Sequence, residues 1–250
     1  MKLMTYVFVV FCFYSCNNVE KETTKEFEDG TTQVERFYVH KGSKTEFKYV
    51  EYYKNGNVKF EGYIKDGYYR GVKKNFYENG NPKEFIHLKD SGKFNFCCPD
   101  GFYELFYENG KINQTHYKLN EKILGKILNY DSTGLKTNDL TVIDNVKNGI
   151  AHQYYPSGEI YSIEYYSNNK LLDSLVELFK TGDTAFIANI IDGKINFPIK
   201  KCNQNGYCIY GDYLNGDKKK VNWTWVDLKN EIIKTKILTP SDSGFVIPDI

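Results

Sequence analysis

The stretch Phe76-Tyr77-Glu78-Asn79-Gly80 reads FYENG, and the same five letters return at residues 106–110. A near copy, YYKNG, ends at Gly56. Each copy places two aromatic residues directly before Asn-Gly, which is the strongest short signal for a β-hairpin because both residues tolerate positive φ. The repetition predicts a chain that reverses its direction at regular intervals.

Turn glycines recur along the middle of the chain at Gly56, Gly80, Gly110, Gly134, Gly158 and Gly182. Their spacing is 24 residues, apart from one step of 30 residues that carries an insertion between Lys89 and Gly101. Nine residues before the last five of them lies a second set that also tolerates turn geometry: Gly71, Gly101, Gly125, Gly149 and Asp173. A fixed period of this size is typical of repeat architectures.

Each unit contains two extended runs, joined by the Asn-Gly turn and by a second, looser turn such as KDG at Gly67 or KNG at Gly149. We therefore predict an all-β fold: an elongated antiparallel β-meander of repeated hairpins with a C-terminal β cap. The predicted segments are a signal peptide (1–15), a polar tether with a first strand (16–46), hairpin repeats (47–196) and the cap (197–250), where Val221, Trp223 and Trp225 alternate as in a strand.

The aromatic pairs predict two ladders of side chains on opposite faces of the sheet, because side chains alternate along a strand. The first position holds Tyr52, Phe76, Phe106, Tyr130, Tyr154 and Leu178, and the second holds Tyr53, Tyr77, Tyr107, Asp131, Tyr155 and Phe179. Tyrosine is easier to expose than phenylalanine, so we expect the second ladder to be the wetter one. Its aromatic members form the candidate binding face: Tyr53, Tyr77, Tyr107, Tyr155 and Phe179.

These units resemble the MORN-repeat variant of bacterial proteins, in a stretch from about Phe47 to Asn196. The shared pattern is a Gly, an aromatic pair, a polar residue, Asn-Gly, a short strand and a turn of the Lys-Asn-Gly type. The resemblance implies a hairpin ribbon used as a scaffold or binding surface, and it implies no reaction. Some members carry the label of a toxin–antitoxin antitoxin, which fits poorly with an exported chain.

The amino terminus predicts export. Lys2 precedes an apolar run from Leu3 to Tyr14, which is too short to anchor in a bilayer and has the length of a signal-peptide core. Ser15-Cys16 resembles a bacterial lipoprotein signal, which implies a lipid on Cys16 and, with Asn17 following, a place in the outer membrane on an unspecified side. The alternative is a buried amino-terminal strand with an incidental cysteine.

The remaining cysteines suggest disulfides more than metal. Cys202 and Cys208 flank a turn-like NQNGY and form the candidate disulfide, whereas the pairing of Cys97 and Cys98 stays open. Unpaired thiols or a zinc site are alternatives, although the spacing is poor for zinc ligands. No metal or other cofactor is predicted, and no phosphate-binding loop, nucleophile elbow or HExxH motif occurs.

The net charge of +1 argues against a nucleic-acid partner, which requires a basic surface. We therefore predict a non-catalytic envelope lipoprotein whose repeat sheet binds a protein or an envelope glycan. The alternatives are an antitoxin-like or immunity protein that binds one toxin, and an envelope enzyme that acts on glycans through carboxylates in a groove.

Overall fold

The computed structural model describes residues 20–89, 92–93, 100–192, 194–214, 217–238 and 250. Within these ranges the protein consists of β-strands and turns. None of the described residues forms a helix long and apolar enough to cross a membrane. The predicted signal peptide, Cys16, Cys97 and Cys98 lie outside the described residues.

The strands join into one antiparallel sheet. In chain order they are β1 (Glu20–Glu26), β2 (Thr32–Tyr38), β3 (Glu46–Tyr52), β4 (Val58–Lys65), β5 (Tyr68–Phe76), β6 (Pro82–Leu88), β7 (Gly92–Lys93), β8 (Gly101–Phe106), β9 (Ile112–Leu119), β10 (Lys122–Tyr130), β11 (Lys136–Ile143), β12 (Val146–Tyr154), β13 (Ile160–Ser167), β14 (Lys170–Leu178), β15 (Thr184–Ile191), β16 (Lys194–Cys202), β17 (Cys208–Leu214), β18 (Asp217–Val226) and β19 (Ile232–Leu238). Each strand pairs with the next one, except that β6 pairs with β8 and the short β7 lies beside β5. This order confirms the predicted β-meander of hairpins.

Among the described residues, nine turns share one hydrogen-bond pattern and are here called the long turns; they end at Gly30, Gly56, Gly80, Gly110, Gly134, Gly158, Gly182, Gly206 and Asn230. In the turn at Gly80, the Gly80 N–H donates to the Tyr77 carbonyl and the Tyr77 N–H donates to the Asn81 carbonyl. Only the glycine has positive φ, at 87°, whereas Asn79 does not. The geometry is therefore that of a type I turn followed by a glycine bulge, and the expected positive φ at both residues of Asn-Gly is wrong.

The turns at the other ends of the strands, here called the short turns, are tighter than predicted. Their two residues both have positive φ, as in the pairs Asp66–Gly67, Asn120–Glu121, Asp144–Asn145 and Asn168–Asn169. This is the two-residue hairpin geometry whose twist matches the strands. The predicted turn at Gly149 is wrong, because Gly149 lies inside β12 and its φ of 113° accompanies an irregularity in the strand register.

The sheet extends beyond both boundaries of the predicted repeat region. Residues Glu20–Glu26, within the segment predicted as a polar tether and first strand, form β1, which is joined to β2 by a long turn at Gly30. After residue 197 the long turns continue at Gly206 and Asn230, which preserve the 24-residue spacing from Gly182. The C-terminal segment is thus two more hairpins of the same sheet. The sequence pattern fades there because its aromatic pair is replaced by Cys202–Asn203 and Val226–Asp227.

The two main hydrophobic clusters of the core lie on one face of the sheet and are aligned across neighbouring strands. Tyr38, Phe47, Ile64 and Tyr69 are paired in direct succession on β2 to β5 and are buried. A second cluster surrounds the fully buried Trp223, whose ring covers Gly211; a Cβ added there would lie 2.5 Å from the ring. Burial of such large side chains stabilises each end of the sheet by several kcal/mol, at about 25 cal/mol per Å².

Candidate binding site along the long-turn edge

The long turns lie side by side along one edge of the sheet, because successive strands are antiparallel and every second connection is a long turn. We call this the long-turn edge. Four cavities among the described residues occur between neighbouring long turns, with volumes of about 840, 470, 490 and 370 Å³. Volumes of this order are typical of small-ligand sites.

The predicted binding face lies on this edge, but its tyrosines have a structural role. Each hydroxyl donates a hydrogen bond to a backbone carbonyl of the next unit: Tyr53 to Phe76 O (2.9 Å), Tyr77 to Phe106 O (2.9 Å), Tyr107 to Tyr130 O (2.8 Å) and Tyr155 to Leu178 O (2.7 Å). Each such bond contributes about 1 kcal/mol. The second ladder therefore ties one hairpin to the next.

Asparagine side chains add a second set of bonds between the turns. The amide of Asn79 accepts from the Asn81 N–H within its own turn and donates to Glu108 O in the next. Asn55 and Asn109 make the corresponding contacts with Glu78 O and Ser132 O. The Asn-Gly dipeptide thus serves two functions, local turn formation and contact with the neighbouring turn.

The expected difference in exposure between the two ladders is not found. Members of both ladders, Phe76 and Tyr77 for example, are half-buried. The physical reason is that a tyrosine hydroxyl at the strand end reaches the next turn. In the first ladder, Phe85 packs against both Phe76 and Phe106, with ring centroids 5.8 and 5.0 Å apart.

The largest of these four cavities, about 840 Å³, lies where these bonds between turns are missing. Phe179 keeps the aromatic ring of the second position but lacks the hydroxyl. Thr181 replaces the turn asparagine and donates its hydroxyl to Asp183 in its own turn, at 2.8 Å. Among the described residues no side-chain hydrogen bond links the Gly182 turn to the Gly206 turn. The gap is lined by Tyr155, Phe179, Lys180, Lys200, Asn203 and Gln204.

The disulfide expected from the sequence borders this cavity. Cys202 and Cys208 lie directly opposite each other on β16 and β17 and are bonded. The bridge closes the long turn at Gly206 covalently. It therefore fixes one wall of the cavity, while the other wall is the turn at Gly182.

Two carboxylates are held in equivalent repeat positions on the opposite face from the core. Glu35 accepts from Tyr52 at 2.8 Å and pairs with Lys21 at 2.5 Å. Burial and this carboxylate raise the pKa of Tyr52 to about 12. Asp139 accepts from Tyr154 at 2.5 Å in the same arrangement, four units further on.

Two basic side chains lie close to the Asp139 carboxylate. His152 Nδ1 is 3.0 Å from its carboxylate and Lys136 Nζ is 3.4 Å away. Burial alone would raise the pKa of Asp139, but the hydrogen bonds from Tyr154 and His152 outweigh burial and the net shift is downward. Glu35 and Asp139 lie on β2 and β11, which are not neighbours, so they do not form the close carboxylate pair of a glycosidase.

Sequence reasoning locates the turn edge but misses several of its members. Lys180, Asn203, Gln204 and Lys200 line the largest cavity and carry no sequence signal, because a single lysine or amide forms no pattern. The candidate residues Tyr53, Tyr77, Tyr155 and Phe179 each line a cavity, whereas Tyr107 lines none of these four. Within the described ranges, no group of three His, Cys, Asp or Glu side chains is arranged to hold a metal ion.

No protein-family model matches the chain, and no curated protein sequence matches it significantly.

Proposed function

We propose that this protein is a non-catalytic envelope lipoprotein of the MORN-variant type, and that its long-turn edge binds a protein or glycan partner. The observation that carries the proposal is the row of cavities between neighbouring long turns, each combining apolar or aromatic surface with amide or charged side chains. Binding sites combine apolar surface for contact with a few polar groups that orient the ligand.

The rigidity of the edge supports the same proposal. Tyrosine and asparagine side chains fix the relative positions of several neighbouring turns through bonds of 2.7–3.0 Å. A surface that is fixed before binding loses less conformational freedom when a partner docks. An extended partner would therefore contact several units in a constant spacing.

Position-specific photo-crosslinking tests the location of the partner. A photoreactive residue is placed at Lys180 on the long-turn edge and, as the matched control, at Lys170, the first residue of β14 at the short-turn edge. Incubation with envelope extract should give crosslinked products from position 180 and few from position 170. Equal yields from the two positions, or products from position 170 alone, would refute the long-turn edge as the binding site.

The anchoring part of the proposal is tested separately. Mass spectrometry of the mature amino-terminal peptide should show a lipid-modified Cys16 as the first residue. An intact Met1 would exclude export by this signal. A single stoichiometric protein partner from the crosslinking experiment would instead favour the antitoxin-like alternative.

A further inference from the structure

The cavity between the Gly182 and Gly206 long turns differs chemically from the other contacts along the edge. In four of the described units a tyrosine hydroxyl of one long turn donates to a backbone carbonyl of the next unit. Phe179 supplies the same ring without the donor. By the 24-residue repeat, the carbonyl of Cys202 occupies the position at which Leu178 accepts from Tyr155.

A second acceptor lies in the same gap. Glu78 and Glu108 accept side-chain amide bonds from the preceding turn. The equivalent carbonyl in the turn at Gly206 belongs to Gln204, and the residues facing it from the preceding turn are Thr181 and Asp183, which carry no amide donor. The cavity thus holds the Phe179 ring beside the carbonyls of Cys202 and Gln204. The equivalent carbonyls in other units accept side-chain hydrogen bonds.

Other units that lack the tyrosine do not reproduce this combination. In the turn at Gly134, Asp131 accepts bonds from Thr133 and Leu135 of its own turn and provides no ring. Phe27 in the first long turn is also a ring without a hydroxyl, but it does not line the neighbouring cavity. Among the described long turns, only the one at Gly182 places a phenylalanine ring in a cavity that Cys202 and Gln204 of the next turn also line.

We propose that this cavity binds a saccharide, with the apolar face of one pyranose ring on Phe179 and its hydroxyls donating to the carbonyls of Cys202 and Gln204. This inference rests on the proposed function and names the ligand class of its largest cavity. Saccharides fit because they present C–H groups on one face and hydroxyl donors at the rim. The exposed amide of Gln204 and the charged groups of Lys180, Lys200 and Asp183 supply further partners for hydroxyls.

Both lysines of the wall have partners within the protein. Lys180 and Lys200 are partly offset by Asp183, and both lysines lie over tyrosine rings, at 5.5 Å from the centroids of Tyr155 and Tyr210. A peptide strand is disfavoured here because the edge presents turns and not the unpaired backbone of an edge strand, which strand addition requires.

The test is a titration of the ¹⁵N-labelled protein with four neutral tetrasaccharides: β-1,4- and α-1,4-linked glucose, and β-1,4-linked N-acetylglucosamine and mannose. At least one should shift amide signals clustered at residues 179–184 and 200–206. No shifts with any of them, or shifts that are not clustered there, would overturn the proposal.

Phe179→Tyr is the decisive variant. Its added hydroxyl can donate to the Cys202 carbonyl as Tyr155 does to Leu178, which fills the gap. Saccharide affinity should fall at least tenfold while the melting temperature stays equal or rises. Tyr63→Phe, which removes a remote hydroxyl bond to Glu46 on the neighbouring strand, should lower the melting temperature and leave affinity unchanged. An unchanged affinity in Phe179→Tyr would contradict the assignment.

The two proposals fail separately. Crosslinking of a partner at position 180 without any saccharide binding would leave the long-turn edge as a binding surface and remove the saccharide inference. Clustered saccharide shifts with equal crosslinking at positions 170 and 180 would support this cavity while refuting a partner-binding edge.

Discussion

The glycine at the end of each long turn is held in a backbone conformation that other residues adopt at a cost. Gly80 has φ of 87°, and a Cβ added there would make only an ordinary van der Waals contact, 3.8 Å from the Asn57 side chain. The constraint at this residue is therefore torsional and not steric crowding. Asn230 fills the same role with φ of 61°, consistent with the tolerance of asparagine for this region.

Gly80→Val should destabilise the fold by about 2 kcal/mol, because a β-branched residue is strained at this φ. Glu78→Val is the matched control: it introduces the same side chain at an exposed position of the same turn without positive φ. Thermal unfolding of both variants measures the difference. Similar melting temperatures for the two would show that the left-handed conformation is not required.

His116 is a buried histidine stacked on Tyr103, with ring centroids 5.1 Å apart, and neither ring nitrogen has a hydrogen-bond partner among the described residues. Burial, assisted by the nearby charge of Lys118, lowers its pKa to about 4. In the unfolded chain this histidine has a pKa near 6.5. Its contribution to the free energy of unfolding is therefore fully present above that pH and decreases as the pH falls towards 4.

The variant His116→Phe keeps the ring and removes this titration. Denaturant unfolding at pH 7 and pH 4.5 should show a stability loss in the native protein that exceeds the loss in the variant by about 2 kcal/mol. The carboxylates titrate in both proteins, so the comparison isolates the histidine. Equal losses would mean that His116 acquires a partner in solution.

At the scale of the hairpin, the second aromatic position of the long turn is used in two alternative ways. A tyrosine at the second aromatic position donates to the next unit, as Tyr107 does to Tyr130 O. An Asp or Asn there accepts bonds from its own turn, as Asp131, Asn203 and Asp227 do. The first solution strengthens the contact between hairpins, and the second strengthens the single hairpin.

Tyr107→Phe should therefore cost about 1 kcal/mol, the usual value of one such hydrogen bond. Tyr165→Phe is the control, because Tyr165 lies on the exposed sheet face at 45% exposure. Thermal unfolding should separate the two variants. A loss at Tyr165 as large as that at Tyr107 would show that the bond between turns does not determine the effect.

For the whole molecule, stability is distributed along a chain of neighbouring hairpins. Every strand pairs mainly with its sequence neighbours, so a unit contributes its own hairpin and two interfaces. The ends differ: β1 is rich in charged residues, which discourages edge association, whereas β19 exposes Ile232, Ile233 and Ile237.

Deletion of residues 135–158, which spans one period from Gly134 to Gly158, should leave a soluble sheet with a lower melting temperature. The strand order and the edge that carries each long turn are preserved. Deletion of residues 135–146 is the control, since it removes a single strand and would transfer every later long turn to the other edge. Circular dichroism and size-exclusion chromatography should show folded monomer for the first deletion and misfolding or aggregation for the second.

The all-β meander, the 24-residue period and the location of most long turns can be predicted from the amino-acid sequence, because turn formation is a local property of Asn-Gly after an aromatic pair. The same locality explains the errors. Gly149 has the sequence signature of a turn although it marks a bulge, since both features favour positive φ. The hairpins after residue 197 lack the aromatic signal and keep the turn geometry.

The contacts made by side chains of the long-turn edge depend on how the hairpins pack and cannot be predicted from local sequence. Whether the Tyr77 hydroxyl faces solvent or bonds to Phe106 O depends on the distance between hairpins, and that distance is set by the sheet as a whole. For the same reason the cavity beside Phe179 could not be read from the sequence. The cavity lies where Phe179 lacks the hydroxyl that would donate to the next turn, at Gly206. These two turns are neighbours only in the folded sheet.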